Sequence, residues 1–150
     1  MWISGFFSDV TGDTFFIFPK ERLGAGAIIY LRSVFEKITH EVGLSAGVEI
    51  RGKNGKILNF RDVLQRVDAE CSIIPLIYAE NGYDLFIKLS EIAHGNSDEM
   101  TALKEYEPLR RLVIGIIENV RRKNEEIKNN AEIQKALLDA GLADRGVENE

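Results

Sequence analysis

Ala27-Ile28-Ile29-Tyr30-Leu31-Arg32-Ser33-Val34-Phe35-Glu36-Lys37-Ile38 is the stretch that decides the fold. Together with Leu23 and Val42, its apolar residues Ala27, Leu31, Val34, Phe35 and Ile38 recur every three or four positions, the period of a helix with one buried face. Pro19 suits a first helical turn, where its missing N–H costs nothing. Gly43 suits a C-terminal stop. The spacing therefore predicts a first helix over Pro19–Val42.

Toward the C-terminus, Gly43, Gly47, Gly52 and Gly55 mark a loop over 43–58, with a small hairpin around Asn54-Gly55. Asn59 is a capping residue ahead of Phe60, Val63, Leu64 and Val67, which predict a short helix ending near Cys71. Pro75 opens a further helical stretch that Asn81-Gly82 is expected to break or kink. Leu85, Phe86, Leu89, Ile92 and Ala93 then form a stripe that stops at His94-Gly95. Ser97 is expected to cap a short helix through Lys104, and Pro108 to start the last long one. That helix has an apolar face of Leu109, Leu112, Val113, Ile116, Ile117 and Val120. From Arg121 to Asn130 only Ile127 is apolar, so the helix is expected to leave the core there, into solvent or against a partner.

Toward the N-terminus, two aromatic-rich runs, Phe6-Phe7 and Phe15-Phe16-Ile17-Phe18, flank Thr11-Gly12-Asp13, which suits a short β-hairpin or an extended arm. These aromatics read as core or dimer contacts rather than a base-stacking platform. The fold class is mainly α: a bundle of four to five helices, divided into an arm over 1–18, a helical bundle over 19–140 and a tail over 141–150.

Composition agrees with one packed domain: 150 residues, 45% hydrophobic and 29% charged. A net charge of −5 argues against coating long nucleic acid with the whole surface, yet leaves room for a local basic groove. The lone Cys71 can form no internal disulfide and reads as a small buried apolar residue in a reducing compartment. No stretch has the run of about 20 apolar residues that a membrane span requires. The start at Met1 lacks a signal peptide's basic and apolar regions, which implies a cytoplasmic protein, or else a domain clipped from a longer chain. There is no phosphate-cradling glycine loop, zinc spacing or nucleophile elbow, so neither cofactor nor metal is expected.

The helix carrying Leu31-Arg32 and Glu36 resembles the opening helix of HEPN (higher eukaryotes and prokaryotes nucleotide-binding) domains, in particular an uncharacterised bacterial branch. Lys88-Leu89-Ser90-Glu91-Ile92-Ala93-His94-Gly95 is similar to the branch's second hallmark, a helix closing on alanine-histidine-glycine. Tyr106-Glu107-Pro108-Leu109-Arg110-Arg111-Leu112-Val113 is similar to the start of its final helix. The resemblance covers roughly Gly24 to Lys128 and implies a helical bundle, frequently dimeric. Its active members are metal-independent ribonucleases of toxin and antiviral systems, marked by an arginine a few residues before a histidine. The resemblance places His94 on that histidine and Lys88, in place of arginine, on the basic position.

Metal-free RNA cleavage requires a base, an acid and a cation for the growing phosphorane charge. Histidine suits the first two roles. A dimer that joins two copies of His94 supplies both. Lys88 offers a point charge where arginine would grip two phosphate oxygens. On a regular helix Lys88 and His94 lie about 120° apart, so the helix must end or bend before His94. Glu91, one turn before His94, either orients the imidazole or pairs with Lys88. His94 is otherwise a helix-end residue favoured by the dipole. His40, near the end of the first helix and off its stripe, reads as a dipole partner or solvent residue, and Arg32 with Glu36 as a helix-surface pair. Arg110, Arg111 and Lys88 are the candidate phosphate contacts, against the plainer reading of a solvated face. Three functions follow: a dimeric HEPN endoribonuclease of a toxin or defence system, with RNA as substrate and an antitoxin or other protein as partner; a catalytically degenerate HEPN module binding nucleic acid, nucleotide or protein; or a helical dimerisation domain of a larger protein.

Overall fold

A computed structural model describes residues 24–79, 81–95 and 98–142. The expected N-terminal hairpin or arm, the start of the first helix at Pro19, the Ser97 cap and most of the 141–150 tail lie outside the described residues. Four helices make up the fold described: α1 (Gly24–Ser45), α2 (Phe60–Cys71), α3 (Asn81–Ala93) and α4 (Glu99–Asp139). One 3-10 turn, Leu76–Tyr78, lies between α2 and α3. They form a mainly α helical bundle in which α1 packs against each of the other three.

Of the predicted stripe of α1, Ala27, Leu31, Val34, Phe35, Ile38 and Val42 are all in the core, and Ile28, which the stripe did not include, is buried with them; Leu23 lies outside the described residues. Gly43 does not stop the helix. It is buried two residues before the end of α1, where a Cβ would sit 2.7 Å from Val67 Cγ2, so glycine lets α1 and α2 approach closely. The reversal falls instead at Gly47, with φ +70°. There the Val48 N–H donates to the Gly43 carbonyl at 2.8 Å. At the other end Glu99, in the first turn of α4, accepts from the Gly24 N–H at 2.6 Å, tying the starts of α1 and α4 together.

The loop after α1 carries the expected turn at Asn54-Gly55 as a single antiparallel bridge between Arg51 and Ile57. Asn59 caps α2, its side-chain oxygen accepting from the Asp62 N–H at 3.0 Å. Val63, Leu64 and Val67 are buried, as the stripe predicts, whereas Phe60 is half-buried against the core; Cys71 is buried as well.

Further along the chain, the expected helix boundaries at Pro75, Asn81-Gly82 and Pro108 are corrected. Pro75 opens only the 3-10 turn, and Asn81-Gly82 begins α3 rather than breaking a helix. The cause is upstream: Ile73 and Ile74 are buried, which pins the chain in an irregular path before Pro75. Likewise Pro108 does not start the last helix. A single 41-residue helix, capped by Asp98, runs through it. Proline in a helix interior costs about 3 kcal/mol. Here the buried stripe of Ala102, Tyr106, Leu109 and Val113 continues across an exposed Pro108, and that burial outweighs the cost. As expected, α4 leaves the core: none of its residues after Val120 is buried. Among the described residues no helix is long and apolar enough to cross a membrane.

Candidate functional site

α3 ends at Ala93, so His94 is the first residue beyond it, as the chemistry of the expected site requires. Its N–H still donates to the Ser90 carbonyl at 2.9 Å, and Gly95, with φ +79°, turns the chain away. The imidazole is exposed. Glu91 is exposed as well, and among the described residues no hydrogen bond or ion pair joins it to His94 or Lys88. Lys88 reaches the other way. Its Nζ lies 2.9 Å from Glu105 Oε1, bridging α3 to α4.

The candidate phosphate contacts are dispersed, and each carries a carboxylate. Arg110 is largely covered and lies 3.7 Å from Glu107, while exposed Arg111 lies 3.4 Å from Glu118. Adjacent residues on a helix point about 100° apart, so Arg110 and Arg111 serve different faces. Arg111 is also about 20 Å along α4 from its Asp98 cap, at 1.5 Å per residue.

A second polar row follows α1. Arg32 pairs with Glu36 at 2.9 Å, and its guanidinium stands over Phe86 at 5.7 Å. His40 is half-buried rather than solvated. Its Nδ1 donates to the Glu36 carbonyl at 2.9 Å and its ring faces Phe60.

Sequence reading missed a groove between the 3-10 turn and α4. It has a volume of about 540 Å³ and is lined by Pro75, Ile77, Tyr78, Arg111 and Arg122, among others. Tyr78 crosses it to donate its hydroxyl to the Leu112 carbonyl at 2.7 Å. Gly115 makes room, since a Cβ there would collide with the Tyr78 hydroxyl. Below the groove Asn119, only 6% exposed, donates to the carbonyls of Ser72 and Ile73. Its oxygen accepts from Arg122 at 2.8 Å, which fixes that guanidinium. The turn itself presents Leu76 and Ile77, 95% and 88% exposed. Ser72 and Ala79 bracket it at φ 49° and 47°, strained values for residues with a Cβ. The Ile73-Ile74-Pro75-Leu76-Ile77 run was the available signal: five apolar residues exceed what one buried face of a short turn can use.

Burial, ahead of the neighbouring carboxylates Glu70 and Asp68, raises the Cys71 thiol above its ordinary pKa, so it is a poor nucleophile at neutral pH. Burial is also the first cause that raises Tyr78, Tyr83 and Tyr106 above the usual phenol value. Asp68 adds to the effect at Tyr83, and Arg111 opposes it at Tyr78. A phenol with a raised folded pKa stabilises the fold fully below about pH 10, the unfolded value, and that contribution is lost as pH rises toward the folded one. Urea midpoints should therefore fall above about pH 10, and Tyr83→Phe should flatten the decline. A midpoint that stays level in the parent across that range would contradict the burial of these rings.

No protein-family model, characterised protein or solved structure matches this chain.

Proposed function

We propose that the chain is an HEPN-type interaction module of the cytoplasm, catalytically degenerate, which acts by holding a protein partner on α4. The observation that carries this reading is the Lys88–Glu105 ion pair: the cation nearest in sequence before His94 is committed to α4 at 2.9 Å. Within one chain and among the described residues, no hydrogen bond or ion pair joins the His94 side chain to a carboxylate, and Lys88 is paired with Glu105. The half of α4 after Val120, which has no buried residue, supplies the binding surface.

The test is RNA cleavage. Full-length chain incubated with single-stranded RNA in EDTA should leave the RNA intact and produce no cyclic phosphate ends. Cleavage that disappears in His94→Ala would overturn the reading.

That outcome would favour a second reading, for which the exposure of His94 just past a helix end speaks. In it, a two-fold axis brings two copies of His94 together, one as base and one as acid, in a metal-independent endoribonuclease of a toxin or defence system. Lys88 would then exchange Glu105 for phosphate, and an antitoxin would be the natural partner.

A further inference from the structure

Val113, Ile117 and Val120 face the core of the bundle at spacings of four and three. At the same spacing, past the end of the core, stand Asn124, Ile127, Ala131, Gln134 and Leu138, of which Ile127, Ala131 and Leu138 are apolar. Apolar residues at an average spacing of 3.5 form the seam of a coiled coil, and a polar residue at a seam position lowers stability while fixing register. Its apolar members stand in the open, Ile127 at 39% and Leu138 at 46% exposure. Between them Ile127, Lys128, Ala131, Glu132 and Lys135 line a hollow of about 340 Å³.

Charge decides the occupant. Arg121, Lys128 and Lys135 follow one another at seven-residue intervals along one border of the seam, and Lys123 begins the other. A parallel second copy would set Lys123 against the mate's Lys128. An antiparallel copy would set the row of Arg121, Lys128 and Lys135 against itself. Both arrangements oppose like charges at the flanking positions that choose coiled-coil partners. The helix's own counter-charges are weakly held: Arg121 lies 3.6 Å from Glu125 with both side chains more than half exposed, so a partner's carboxylate can replace Glu125.

We infer that the distal half of α4 receives an amphipathic helix of a different protein, with an apolar seam bordered by carboxylates. The partner's seam carries one polar residue at the level of Asn124. The inference rests on the interaction-module reading and names the partner of that surface.

Two labelled synthetic peptides test it. Both carry one isoleucine/leucine heptad seam with a single asparagine, one flanked throughout by glutamate and the other by lysine. Fluorescence anisotropy with the full chain should show the glutamate peptide binding at least about tenfold more tightly than the lysine peptide, and more weakly as salt rises. The double variant Ile127→Asp/Leu138→Asp should abolish binding with an unchanged thermal midpoint, because both residues lie outside the core. Lys128→Glu/Lys135→Glu should reverse the peptide preference. Binding of neither peptide, or equal binding of both, overturns the proposal. So does a dimer of the free chain that Ile127→Asp/Leu138→Asp dissolves, which would assign the seam to a second copy. RNA cleavage by a chain that still selects the glutamate peptide would sink only the degenerate-catalysis reading.

Discussion

Phe35→Ala should cost about 3–5 kcal/mol, the range for deleting a fully buried phenylalanine. Phe35 has no exposure and forms the base of a chain of rings. It meets Phe60 edge-on at 5.5 Å, and Phe60 meets Phe86 at 4.5 Å. Those contacts join α1, α2 and α3, so the cavity opens where three helices meet and none can collapse into it without leaving another gap. The thermal midpoint should fall by about 10 °C in a domain of this size. Denaturant unfolding checks the free energy. A loss below about 1 kcal/mol would mean that the three helices do not share this core.

Asn119→Leu should cost about 2–3 kcal/mol although it keeps the number of side-chain heavy atoms and adds apolar surface. The amide holds the carbonyls of Ser72 and Ile73 at 3.0 and 2.9 Å. Leucine would leave the buried carbonyl of Ile73 without that donor and would free Arg122 from its anchor. The damage should be local as well as global. Hydrogen exchange over 72–79 should accelerate more than exchange in α1, because the strained turn relies on this clamp. Unchanged stability together with unchanged exchange would show that the 3-10 turn is held by Ile73 and Ile74 alone.

The candidate site was legible in parts. His94 at a helix end followed from the apolar stripe that stops at Ala93 and from Gly95 behind it. The partner of Lys88 did not follow. Glu91 is three residues away in sequence, whereas Glu105 lies across a turn and on another helix, and only the packing of α3 against α4 brings it to 2.9 Å. Arg110 and Arg111 looked like one basic patch because they are neighbours in sequence. The helical turn between them separates their faces, and each meets its own carboxylate. Asn119 carried no signal, since a single polar residue in an apolar stripe looks the same whether it clamps a loop or faces water.

By itself the sequence determined the mainly helical class, the buried faces of α1 and α2, the Asn59 cap and the point near Arg121 where α4 leaves the core. These depend on period and on local capping, both written along the chain. Tertiary structure decided where helices start and stop at Gly43, Asn81 and Pro108. Each is a residue whose local preference favours a break, and at each the packing of neighbours set the outcome: Val67 against Gly43, buried Ile73 and Ile74 ahead of Asn81, the continuous stripe through Pro108. A preference worth a few kcal/mol at one residue yields when burial of a whole face lies on the other side.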